Sequence, residues 1–167
     1  GLDHILFVLG LFFFSLRMGP ILAQVTAFTL AHTFTLALAS LKIVTVPAEI
    51  VEPLIAASIV YVAVENIFGG KIGVLRVAVV FCFGLLHGLG FASVLGEFGL
   101  PEGAFIPALI GFNIGVEFGQ LAVVGAAALL LWTWTARQEW YRAGVSIPAS
   151  VLIAAVGAFW VVERTVL

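Results

Sequence analysis

The chain has 167 residues, of which 63% are hydrophobic and only 10% charged, with a net charge of -2 and a mean hydropathy of +1.24. A soluble domain carries about 25% charged residues, so this chain lacks the polar surface to face water and is read as an integral membrane protein. No basic patch points to nucleic acid, and a single cysteine, Cys82, with a single methionine, Met18, leaves no disulfide within the chain and no thiolate or thioether cage for Cu(I).

Six apolar stretches predict helices that cross a bilayer, each needing ~20 mostly apolar residues. The expected fold is therefore all-α, a polytopic transmembrane bundle of about six spans forming one domain over residues 1–167. The first span, about 3–16, opens on Asp3 and His4. Arg17-Met18-Gly19-Pro20 breaks it from the second, 22–41, which carries His32. Pro47 and Pro53 flank the start of the third, 49–68, which holds Glu52 and Glu65 and closes on Gly69-Gly70-Lys71. The fourth, 73–95, carries Cys82 and His87, and Gly99-Leu100-Pro101-Glu102-Gly103 separates it from the fifth, 105–134, with Asn113, Glu117 and Gln120. Pro148 opens the sixth, 145–163. The apolar runs are continuous rather than alternating, which argues against barrel strands.

Charge sets the expected orientation. Arg17, Lys71, Arg76, Arg137 and Arg142 follow spans one, three and five, whereas the other side has only Lys42 and Arg164 beside Glu49, Glu97, Glu102 and Glu163. The positive-inside rule then makes the loops after spans one, three and five cytoplasmic and the N-terminus external, most simply in a bacterial inner membrane. Trp132, Trp134, Trp140 and Tyr141 gather at the cytoplasmic end of span five, as an aromatic belt would. The chain opens at Gly1 directly on an Asp-His pair, so upstream residues, such as a removed signal peptide, are expected before it.

Ionisable groups inside a membrane cost roughly 2.5–3.5 kcal/mol each on insertion scales and are functional suspects by default. At about 1.5 Å per residue, His87 lies roughly 12 Å below the outer end of its span, and Asn113 and Glu117 roughly 9 and 15 Å down theirs. Asp3, His4, His32, His87, Asn113 and Glu117 thus share the outer half, Glu52 sits at the external start of span three, and Glu65 is the outlier in the inner half. Asn113, Glu117 and Gln120 form one stripe at i, i+4 and i+7. Gly111, Gly115 and Gly119, like Gly84 and Gly88, repeat at a spacing that brings helices close. Each group has a plainer explanation: a lone histidine or Asn113 as interhelical hydrogen-bond glue, Glu52 as a complement to the helix dipole. What those explanations leave over is the coincidence of three histidines and several carboxylates at compatible depths on four helices.

Five ordered motifs carry a resemblance. Gly1-Leu2-Asp3-His4-Ile5-Leu6-Phe7, Phe28 to Leu36 around His32, Val51-Glu52-Pro53 with Ala63-Val64-Glu65-Asn66, Phe83 to Ala92 around His87, and Phe112 to Gln120 resemble the HupE/UreJ family of membrane proteins over residues 1 to about 125. The resemblance implies accessory proteins of nickel enzymes such as hydrogenase and urease, regarded as nickel or cobalt permeases. It implies Asp3, His4, His32 and His87 as metal-binding residues first, with Glu65, Asn113 and Glu117 after them. In better-studied members a histidine precedes the Asp-His pair; that position falls before Gly1.

The expected function is a permease for a divalent metal ion, nickel first, with cobalt or zinc as alternatives. Asp3, His4 and Glu52 would make first contact, His32, His87 and Glu117 would hold the ion with Asn113 beside them, and Glu65 would relay the ion or a proton inward. Metal binding needs neutral imidazole, so affinity should fall as pH drops. Homo-oligomers or nickel-enzyme maturation partners are the expected company besides the lipid bilayer. Two other classes stay open: an intramembrane zinc hydrolase, weakened by the lack of a His-Glu-x-x-His signature, and a non-transporting assembly subunit.

Overall fold

A computed structural model of the chain describes residues 1–15, 17–69, 73–97, 105–135 and 138–166, with the side chains of 92–97, 105, 132–135 and 138–139 outside that description. The order is α1 (Leu2–Phe14), α2 (Met18–Ser40), α3 (Ala48–Phe68), α4 (Val74–Glu97), α5 (Phe105–Thr135), α6 (Gln138–Tyr141), a π-helical turn (Arg142–Ser146) and α7 (Ile147–Val166). No strand occurs among the described residues, and the expected helical bundle of about six spans is what folds. Five helices are long and apolar enough to cross a bilayer, and α1 is a shorter apolar helix.

Local chemistry explains most of the boundaries. Pro20 and Pro148 lie inside the first turns of α2 and α7 rather than before them. At the start of α2 a missing N–H costs nothing, because those donors have no intrahelical partner, whereas α7 continues straight from the π-helical turn, with the Ile147 N–H donating to the Arg142 carbonyl. Ser15 caps α1 and Arg17 caps α2, so the expected break holds at Arg17 but not at Pro20. α3 ends at Gly69, where φ is +76°, a backbone conformation that a Cβ strains. The Arg142 guanidinium donates to the Ile67 carbonyl at 3.1 Å, so a cation also sits on the negative end of that helix.

α2 packs most closely on α4 and α3 on α7, with α1 set against α3, α5, α7 and α2. The seams depend on small residues. A Cβ on Gly157 of α7 would stand 2.9 Å from Val60 of α3, and one on Gly10 of α1 2.9 Å from Val62. Asn66 ties the centre, donating to the Gly10 carbonyl at 2.8 Å and to Ser150 of α7 at 3.1 Å.

The distribution of polarity is that of a membrane bundle. Leu30, Phe34, Phe118, Leu129, Leu152 and Phe159 point outward, while Gln24, His32, Ser58, Asn66, Arg76, His87 and Gln120 are buried inside. With lipid outside, apolar surface costs nothing there, whereas polar groups gain by finding partners within. Antiparallel threading puts Arg17, Arg76 and Arg142 at one end and Lys42 and Arg164 at the other. Of the remaining sequence expectations, Lys71, Arg137, Glu102, the 99–103 break and the side chains of Glu97, Trp132 and Trp134 lie outside the described residues. Trp140 is exposed, but Tyr141 turns into the bundle and is no part of a belt.

Candidate metal site

Three helices each bring one imidazole to a cluster in which His4 neighbours the other two. His4 of α1 stands with its ring centre 5.3 Å from that of His32 on α2 and 5.1 Å from that of His87 on α4, both edge to face. His32 and His87 are fully buried. Phe28 packs within 5.6 Å of His4 and 5.0 Å of His87, Phe7 within 5.2 Å of His87, and Phe112 stacks at 6.4 Å on His32. Each nitrogen buried beside these rings must find a partner in the site or go without.

Most go without. His4 Nε2, both nitrogens of His32 and His87 Nδ1 are buried with no hydrogen-bond partner. The exception is informative. Ser58 of α3 donates its hydroxyl proton to the Ile55 carbonyl at 2.7 Å. Its oxygen, 2.9 Å from His87 Nε2, can then only accept, so the proton of a neutral His87 lies on Nε2 and its lone pair on Nδ1. A hydrogen bond of this kind fixes which nitrogen of a ligating histidine is free to bind. As the side chains stand, no three His, Cys, Asp or Glu groups among the described residues are posed to hold a metal ion; converging the free nitrogens takes rotation of the rings about their χ angles. The spacing suits such a rotation, because two imidazoles on one tetrahedral ion place their ring centres roughly 5 Å apart.

The other sequence candidates fall elsewhere. Asp3 is clamped by Arg164 of α7, at 3.1 and 3.3 Å through both carboxylate oxygens, and Arg164 also donates to the Glu52 carbonyl at 3.3 Å. The Glu52 side chain is exposed and borders a surface hollow with Glu49 and Glu163. Glu65 is ion-paired with Arg76. Glu117 faces outward beside Ile114 and Phe118, accepting from the exposed Thr26 at 3.2 Å. Its stripe neighbours turn inward instead: Gln120 accepts from Thr29 at 3.3 Å, and Asn113 donates to the Leu109 carbonyl while its Oδ1 stays unpartnered.

A cavity of about 460 Å³ runs between α1 and α5, lined by His4, Ile5, Phe91, Phe112, Gln120 and the three α5 glycines. The expectation that Gly111, Gly115 and Gly119 draw a helix close is therefore corrected. A Cβ on any of them would meet nothing within 4 Å. Sequence reading also passed over Ser58 as a partner of His87, although its helical register with Glu65 marks a polar face on span three.

A family model described as HupE / UreJ protein matches residues 1–164. No curated protein and no solved structure matches the chain. The chain belongs to the HupE/UreJ family, a class of integral membrane proteins linked to nickel and cobalt transport.

Proposed function

We propose that this HupE/UreJ member is a permease for a divalent transition-metal ion, nickel first, and that the ion is held in transit by His4, His32 and His87. The observation that carries the reading is the cluster of unpartnered imidazole nitrogens packed beside phenylalanines. Unsatisfied buried polar atoms are costly, and a cation that accepts their lone pairs removes that cost. Imidazole suits Ni²⁺, Co²⁺ and Zn²⁺. Conduction requires a site that binds the ion strongly enough to take it up and weakly enough to let it go.

On this reading the end carrying Asp3 faces outside and the end carrying Arg17, Arg76 and Arg142 faces the cytoplasm of a bacterial inner membrane. Asp3, Glu52 and Glu117 are peripheral groups that raise local cation concentration, and Asn113 Oδ1, buried without a partner, is a further oxygen donor on α5. No partner subunit enters the reading.

The test is uptake of radioactive nickel by cells that lack their own nickel importers and express the protein. His32→Ala and His87→Ala are expected to abolish uptake while the protein still reaches the membrane. Uptake unchanged in both variants refutes the reading, and tightly held zinc with hydrolytic activity in the purified protein replaces it with an enzyme.

A further inference from the structure

A second polar node lies deeper in the bundle, built on the same four helices as the histidine cluster. Arg76 of α4 is buried. Its Nε donates to Gln24 Oε1 of α2 at 2.9 Å, its guanidinium pairs with Glu65 of α3, and its plane lies 3.5 Å over the Phe14 ring of α1. Gln24 is itself fixed, donating to the Pro20 carbonyl at 2.9 Å. One side chain thus contacts the three helices that, with α4, supply His4, His32, Ser58 and His87.

The two nodes are aligned. Arg76, Val80 and His87 occupy i, i+4 and i+11 and so share one face of α4, with about 16 Å between the first and last. Val80, on that face, belongs to one buried apolar cluster with Phe28, Leu11, Ile59 and Val62 of the other three helices. A cation leaving the histidines toward the Arg76 end meets apolar packing and then a guanidinium tied into an ion pair and a ring contact. A side chain locked in this way closes the route by its bulk and its bonds rather than by net charge, and constrictions of this type set passage in membrane pores.

We infer that Arg76, locked by Glu65, Gln24 and Phe14, is the inner barrier of the pathway, closed in this structure, and that the ion passes only when this lock opens. The inference rests on the permease reading for its cargo. The closure itself is a property of the packing and is tested separately. It also changes the part given to Glu65, which holds the barrier shut rather than passing the ion along.

The test uses the full chain with Cys82 replaced by alanine and Val80→Cys introduced, in sealed membrane vesicles of either orientation. A membrane-impermeant thiol reagent is applied to one face at a time. With Arg76 in place, the V80C thiol is expected to stay protected. Arg76→Gln is expected to accelerate labelling on the order of tenfold from the Arg76 end only, because reactivity follows the population of the open form. Arg76→Lys retains protection, and Glu65→Gln, which keeps the shape of the lock, gives a second opening variant should Arg76→Gln not fold. Protection that persists in both Arg76→Gln and Glu65→Gln overturns the barrier, as does labelling that is equally fast with Arg76 intact. Nickel binding to the purified protein is measured in parallel. Its absence without any substitution refutes the permease reading while the labelling still decides the barrier.

Discussion

Two glycine ladders with the same four-residue spacing serve opposite ends in this molecule. On α4, a Cβ at Gly84 would strike the Phe28 carbonyl and stand 2.9 Å from the Ala31 Cβ, and one at Gly88 would strike Thr35 Oγ1 and the His32 carbonyl. On α5, a Cβ at Gly111, Gly115 or Gly119 would meet nothing within 4 Å. The first ladder presses α4 against α2 and so brings His87 beside the helix of His32. Thr35 completes that seam by donating to the Leu85 carbonyl at 2.7 Å. The second ladder faces a cavity. Small residues permit a close approach; a partner helix with a matching surface must supply it.

Substitutions can break this contrast. The largest effect is expected at Gly88→Ala, where the added methyl meets backbone atoms of α2 that cannot move aside. Overpacking of this kind costs about 3 kcal/mol, read as loss of unfolding stability in detergent, with nickel binding lost alongside. A Gly88→Ala protein as stable as the unmodified chain would refute the tight seam. Ser58→Ala sharpens the other half of the comparison, because it frees His87 from its fixed tautomer while leaving the helices in place. Metal affinity should fall by about 10- to 100-fold, measured by equilibrium dialysis, and the ¹⁵N shifts of the His87 ring should report mixed tautomers. An unchanged tautomer would remove Ser58 from the site.

A smaller loss is expected at the helix end where glycine is needed for its backbone rather than for contact. Gly69→Ala puts a Cβ at positive φ and 2.8 Å from the Arg142 guanidinium, for about 1–2 kcal/mol by thermal unfolding. Smallest of all is Gly115→Ala on the open ladder, which should change stability by no more than about 0.5 kcal/mol. A large loss there would mean that the α5 stripe is packed against something after all.

The same contrast explains how far the residues could be read in advance. Span number and type were legible because apolar runs and Pro or Gly punctuation act locally. The meeting of His4, His32 and His87 was foreshadowed by their compatible depths, since depth follows from rise per residue. Angle was harder. Asn113, Glu117 and Gln120 share a stripe, yet the helix is turned so that Asn113 and Gln120 are buried and Glu117 looks outward to Thr26. No periodicity in α5 alone sets that rotation, because α5 touches its neighbours along one side. Asp3 and Glu65 were read as ion contacts from charge and position, but their arginine partners come from 161 and 11 residues away along the chain, and nothing local announces the pairing.

By itself, then, the order of residues determined that this chain is a helical membrane protein of a recognisable family, since hydrocarbon tolerates only helices or closed barrels and the apolar runs are continuous rather than alternating. Tertiary packing alone decided which polar groups are spoken for and which are left open. Arginines neutralise Asp3 and Glu65, and Ser58 directs the His87 proton, while a knot of imidazole nitrogens stays without partners. The reason is physical: a side chain carries its chemistry along the chain, but its partner depends on the rotation and closeness of helices distant in sequence.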